Sequence, residues 1–117
     1  MATDLGDLAR TLSEVDRLIH EPARLVIVTI LYSVECADFL YLQRETGLTR
    51  GNLSAHLTKL EAAGYIEIEK TYRRKIPLTL CRLLAPGRRA FECYHRQLTQ
   101  FIQQTQPLSL ENHGELP

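Results

Sequence analysis

A chain of 117 residues, 44% hydrophobic and 24% charged, has the size and composition of one globular domain with short extensions, which excludes wholesale disorder. Its longest apolar run, 25–31, is interrupted by Thr29 and falls well short of the roughly 18–20 residues that span a bilayer. The 14 Lys and Arg balance 14 Asp and Glu, and a net charge of zero argues at first sight against a nucleic-acid partner.

Met1–Asp7 carries two acids and no base, which is unlike a signal peptide. Leu5, Leu8, Leu12, Val15 and Ile19 recur at helical spacing and predict an amphipathic helix over about 4–20. Pro22 either breaks that helix or opens the next as a first-turn proline. Residues 23–34 read as a strongly apolar helix, buried on most sides and central to the core. A short extended stretch at 38–40 leads into a helix over 41–46, stopped by Gly47 in a left-handed cap. Thr49 is a good N-cap for a following helix that places Leu53, Leu57 and Leu60 on one face, and Gly64 ends it. Two strands follow, 65–72 and 77–84. In the first, Ile66 and Ile68 alternate with Glu67 and Glu69, and Pro77 implies an edge or terminus for the second. Pro86-Gly87 opens a long helix with Phe91, Tyr94, Leu98, Phe101 and Ile102 as its apolar stripe, and 107–117 is a polar tail.

Along this order the charge is uneven. Residues 1–43 net −4, residues 44–96 net +6 and the tail from 97 nets −2, with Lys70, Arg73, Arg74 and Lys75 the densest cluster. Eleven of the 14 bases are arginine, whose planar fork matches phosphate and guanine acceptors. The two short helices around Gly47-Leu48-Thr49 form a helix-turn-helix, and the hairpin after them supplies a wing. On the helix from 50, the face opposite the leucines gathers Gly51, Asn52, Ala55, Thr58 and Lys59, which are small or polar and suit close approach to base edges in a major groove. Arg50 sits in the first turn, where its charge opposes the helix dipole, and reads as recruited for an anion.

The run Leu48 to Ile66 resembles the recognition-helix signature of bacterial and archaeal winged-helix regulators of the ArsR/MarR-like group. Ile19 to Leu25 is similar to that group's first core helix, and Cys81 to Ala90 to its strand-to-helix exit, so the likeness covers about 16–100. The resemblance implies a mainly α fold with a small β-hairpin, a winged helix-turn-helix flanked by N- and C-terminal dimerisation helices. It implies a homodimer on double-stranded operator DNA in the cytoplasm, nucleoid-associated, with a small-molecule effector of unknown chemistry and no membrane partner. The organisation expected is a dimerisation helix at 1–20, a DNA-binding core at 21–86, a second dimerisation helix at 87–106 and a flexible tail. Gly51, Asn52, Ala55, Thr58 and Lys59 would face bases. Thr49, Arg50, Ser54, Arg73, Arg74 and Lys75 would meet phosphates. Two departures from the group stand out: Leu84 occupies the usual Ser or Thr cap of the last helix, which predicts a later or looser start, and the wing tip has no glycine.

Plainer readings compete. His56 lies about 65° from the centre of the apolar face and reads as a packing or backbone hydrogen-bonding residue rather than a DNA contact. Asn52-Leu53-Ser54 matches a glycosylation sequon by chance. Cys36, Cys81 and Cys93 form no CxxC pair and read as inert buried thiols of a reducing cytosol, while Cys93 and His95 lie about 200° apart on a helix and cannot chelate one metal. His20 beside Glu21, or Asp38 near Cys36, would make a catalytic pair only if their ordinary positions were ignored. No nucleotide loop or nucleophile elbow is present, so the sequence predicts no metal, no cofactor and no enzyme. The Leu5/Leu8/Leu12/Val15/Ile19 and Phe91/Tyr94/Leu98/Phe101/Ile102 stripes exceed what a small core covers, which favours a dimer over packing on each other. The rival function is a winged-helix protein–protein module without DNA binding, suggested by Glu67 and Glu69 beside the wing.

Overall fold

The first helix ends earlier than its apolar spacing suggests, because Asp16 organises a turn. A computed structural model describes residues 5–105, and in it α1 spans Leu5–Ser13. The Asp16 carboxylate then accepts from the Leu18 and Ile19 amides at 2.8 and 3.3 Å, a local bond that competes with helix continuation. Val15 and Ile19 therefore lie beyond α1, correcting the expected 4–20 helix. Pro22 opens the next helix, α2 (Pro22–Ser33), at its first position, where a missing N–H is harmless. Glu21 caps it by accepting from the Arg24 amide at 2.9 Å, and this bond lowers the Glu21 pKa. Ile27, Val28 and Leu31 of α2 are fully buried, but Val26 is exposed, so the helix is amphipathic rather than enclosed.

A two-residue strand, β1 (Ala37–Asp38), precedes α3 (Phe39–Thr46), so Phe39 and Leu40 are helical where an extended stretch was expected. Asp38 dictates the boundary: its carboxylate accepts from the Tyr41 amide at 2.7 Å as N-cap. After α4 (Arg50–Ala62) come β2 (Ile66–Arg73), β3 (Ile76–Leu83) and the long α5 (Ala85–Gln104). The sheet is antiparallel in the order β1-β3-β2, three strands where a hairpin alone was predicted. β1 meets only Leu80 and Cys81 of β3, so Pro77, at the far end opposite Tyr72, needs no second partner strand.

The last helix starts at Ala85 despite lacking a Ser or Thr cap. Leu84 donates its amide to the Tyr65 carbonyl and accepts from the Arg88 amide, both at 2.9 Å, which fixes the exit through the backbone. Gly87 makes that approach possible, since a Cβ there would stand 2.3 Å from the Tyr65 carbonyl oxygen and 2.8 Å from the Leu83 side chain.

The chain divides into two compact units, Asp16–Tyr94 and a second made of Met1–Val15 with His95–Pro117. The core of the first unit includes Ile19, Ile27, Leu31, Leu42, Leu53, Leu60, Ile66 and Cys81. Phe91 and Tyr94 are also buried there, Phe91 4.8 Å from the Tyr32 ring and Tyr94 accepting or donating at 2.8 Å to His20 Nδ1. Of the predicted dimer stripes, Leu8, Val15, Ile19, Phe91 and Tyr94 are thus already buried in one chain and have little surface left for a partner. Leu12, Leu98 and Phe101 are half-buried, and Leu5 and Ile102 are exposed.

Of the cysteines only Cys81 is buried, while Cys36 and Cys93 are exposed, which corrects the reading of three buried thiols. Burial pushes the Cys81 thiol up to about 11. A thiol reagent added to the native protein should therefore label two cysteines quickly and the third only on unfolding; rapid labelling of all three would contradict this core.

Gly87→Ala should lower Tm by about 10 °C in a thermal melt, the cost of about 2 kcal/mol for forcing a methyl against fixed backbone. Gly51→Ala, at a position with nothing within 4 Å of the added carbon, should instead raise Tm slightly through helix propensity.

Candidate nucleic-acid interface

Three short-range bonds aim α4. Gly47 takes φ +71° and donates its amide to the Gln43 carbonyl at 2.9 Å, closing α3 in the left-handed cap that glycine adopts without a Cβ penalty. Thr46 Oγ1 accepts from the Leu48 amide at 3.3 Å. Thr49 Oγ1 then accepts from the Asn52 amide at 3.1 Å, so the hydroxyl expected at a phosphate is also the helix cap, with its proton left to donate.

One side of α4 is anchored by Leu53, Leu57 and Leu60, which are 0–2% exposed. The other carries Gly51, Asn52, Ala55, Thr58 and Lys59, and all five are exposed, as the sequence predicts. Thr58 Oγ1 donates to the Ser54 carbonyl at 2.9 Å, which leaves its lone pairs facing outward for an incoming donor. The chain gives no packing reason for glycine at 51, a residue that costs about 1 kcal/mol relative to alanine inside a helix.

Phosphate candidates fall into two groups. Arg50 and Ser54 line an open groove of about 900 Å³ between α4 and the hairpin, with Lys70 and Thr79 on its opposite wall. The Arg50 guanidinium lies 5.2 Å above the Phe39 ring, a cation–π contact that steadies it against the unfavourable helix dipole. Arg74 and Lys75 form the two-residue turn of the hairpin, with Arg73 pairing across from Ile76. Strand alternation puts Arg73 on the face of Glu67 and Glu69, and Lys70 on the face of Ile66 and Ile68 toward α4. Lys70, Phe39 and Thr79 were not among the predicted site residues. The signal for Lys70 was present, since it shares the parity of the two isoleucines; nothing in the sequence pairs Phe39 with Arg50.

The turn itself is unusual. Arg74 has φ 53° and Lys75 φ 70°, the two positive angles that a tight two-residue hairpin demands and that Asn-Gly usually supplies. Each side chain there costs about 1–2 kcal/mol of steric strain.

His56 is half-buried and bonds inside the chain: its Nδ1 lies 3.1 Å from the Arg24 guanidinium and its Nε2 3.8 Å from the Glu21 carboxylate. The ring thus bonds side chains, Arg24 and Glu21, where packing or a backbone hydrogen bond was expected. Glu67 and Glu69 are both within ion-pair distance of Arg82, at 3.5 and 2.8 Å, so one cation on the same face offsets one of the two acidic charges beside the wing. Among the described residues no group of three or more His, Cys, Asp or Glu is placed to hold a metal ion, and no helix is long and apolar enough to cross a membrane.

Comparison with known proteins agrees with this geometry. A family model described as a winged helix DNA-binding domain matches residues 23–102. An uncharacterized protein of Methanocaldococcus jannaschii is 33% identical over 84 residues, covering 72% of this chain and 91% of its own length. A transcriptional regulator homologue from Pyrococcus horikoshii superposes with a TM-score of 0.74 at 24% identity, over 84% of this chain and 95% of that one. A mutant of MarR from E. coli superposes with a TM-score of 0.67 at 20% identity, over 99% of this chain and 93% of that one. The chain belongs to the winged helix DNA-binding domain family, with the fold of the MarR transcriptional regulators.

Proposed function

We propose that the protein is a sequence-specific double-stranded DNA-binding regulator, a repressor that acts as a homodimer in the cytoplasm by occluding a promoter. One observation carries the reading: α4 buries its leucines and leaves a small, polar, uncovered face beside an open groove that has Arg50 on one wall and Lys70 on the other, with Asp38 and Glu61 also lining it. Gly51, Asn52, Ala55, Thr58 and Lys59 enter the major groove. The backbone strand that borders it lies in the groove between α4 and the hairpin, where Thr49, Arg50, Ser54 and Lys70 meet phosphates. Arg74 and Lys75 reach the next stretch of backbone from the wing tip, with Arg73 on its outer flank. The pairing of Glu67 and Glu69 with Arg82 offsets one of their two charges, and so weakens the acidic feature that suggested the rival protein–protein module.

The strained turn supports the same reading. Arginine and lysine in left-handed conformations cost stability, and a charge carried to the tip for phosphate contact is the offsetting gain. Replacing Arg74-Lys75 by Asn-Gly should raise Tm by about 5 °C while reducing the slope of log affinity against log salt on duplex DNA by about 2. No binding by the wild type at low salt would sink the DNA reading, and an unchanged slope would remove the tip from the interface.

The dimer rests on the apolar surface that one chain leaves over, Leu5 and Ile102 exposed with Leu12, Leu98 and Phe101 half-buried. Two-fold pairing would space two recognition helices about 34 Å apart, matching successive major grooves. In sedimentation, Leu5→Asp combined with Ile102→Asp should convert dimer to monomer without loss of helix content. A dimer that survives both charges would place the interface elsewhere.

A further inference from the structure

Three leucines hold α4 against the core, but apolar contact is non-directional and does not by itself fix a helix's rotation or its position along its axis. Directional bonds do, and two of them run from α4 and its C-terminal turn to the same short segment of chain. At the C-terminal end, the Tyr65 hydroxyl donates to Asp16, whose other carboxylate oxygen organises the turn through the Leu18 and Ile19 amides. Burial and this carboxylate push the Tyr65 hydroxyl up to about 12, so it remains a donor at any physiological pH. Midway along the helix, Arg24 reaches both ways. Its Nε donates to the Leu18 carbonyl at 2.6 Å and its Nη1 lies 3.1 Å from His56 Nδ1.

The chemistry of that contact assigns the imidazole. A guanidinium carries donors only, so Nδ1 must accept and the ring proton must sit on Nε2, which faces the Glu21 carboxylate at 3.8 Å. Glu21 is held in turn by capping the Arg24 amide at 2.9 Å. His56 occupies the helix between Asn52, four residues before it, and Lys59, three after, so these side chains share one edge of α4. Both neighbours belong to the proposed base-facing set.

We propose that His56 is a positioning residue for DNA reading, acting through Arg24 to lock the rotation of α4 against the 16–19 turn. It touches no base; it sets where Asn52 and Lys59 stand. This rests on the DNA-binding reading above and adds to it a tie between the recognition helix and the segment through which the chain arrives from α1.

The test uses the full chain as wild type, His56→Leu, His56→Asn and Arg24→Gln. Without DNA, the imidazole nitrogens are read by two-bond proton–nitrogen correlation. His56 should show an unprotonated Nδ1 and a protonated Nε2 in the wild type, and should lose that fixed tautomer in Arg24→Gln. A protonated Nδ1 in the neutral wild-type ring would overturn the assignment. With DNA, a duplex selected by the wild type from a random library is compared with random duplex across a salt series. His56→Leu and Arg24→Gln should lose about tenfold in discrimination, with helix content and salt slope unchanged. His56→Asn, whose amide oxygen stands where Nδ1 stood, should keep discrimination within about threefold of wild type. Equal losses in the Leu and Asn variants, full discrimination in His56→Leu, or a reduced salt slope in either would overturn the positioning role. A wild type that binds neither duplex at low salt would overturn the DNA reading and the positioning role together, an outcome distinct from the others because wild-type binding itself is missing.

Discussion

Everything on the outer face of α4 depends on the burial of Leu53, Leu57 and Leu60 on its inner one. Each such side chain contributes about 1.5–3 kcal/mol when removed from water, enough together to hold a helix of this length whose outward face receives nothing from the chain. A helix meant for the surface alone would spend its exposed positions on good helix formers and ion pairs. Here those positions hold Gly51, Asn52 and Thr58, which weaken the isolated helix. The stability comes from one side and the exposed polar chemistry from the other, and only at Thr49, both helix cap and phosphate candidate, do the two meet.

The C-terminal end of the same helix shows how tightly the remaining elements are joined to it. The Tyr65 backbone carbonyl receives the Leu84 amide, Gly87 passes close beside it, and the Tyr65 side chain bonds Asp16. One residue thereby gathers the end of α4, the exit from β3, the start of α5 and the turn before α2. Hairpin and α4 are held at a common junction, with Arg50 on one wall of the groove between them and Lys70 on the other.

The features legible in the sequence are those fixed by local chemistry. Thr49 as cap, Gly47 as stop, the leucine stripe and the alternation of Ile66 and Ile68 each follow from neighbours within a turn or two, and each is found where expected. Two misreadings are local, Asp16 turning the chain through the Leu18 and Ile19 amides and Asp38 capping α3 two residues early, and the others are long-range. Tyr65, 49 residues away, donates to the same Asp16, a partner that the local turn does not announce. β1 exists only because β3 is there to pair with it, two residues being too few to carry a strand pattern. Phe39 supports Arg50 through a contact that no spacing rule anticipates. The glycine at 87 reads as a helix opener, and its actual constraint, a carbonyl 2.3 Å from where a Cβ would be, belongs to tertiary structure.

The balanced charge takes on a different meaning once its members are placed. The +6 surplus of residues 44–96 overstates what a phosphate backbone would meet. Arg82 is engaged by Glu67 and Glu69, and Arg88 lies 4.7 Å over the Tyr32 ring. The cations placed around the groove and wing are Arg50, Lys70, Arg73, Arg74 and Lys75. So short a set gives weak sequence-independent attraction, because each neutralised phosphate adds only one increment of counterion release. On the DNA-binding reading, affinity for an operator must then come from base contacts and from two half-sites engaged together. The first of these demands falls on the rotation of α4, which the Leu stripe, the Tyr65 junction and the Arg24–His56 tie together constrain.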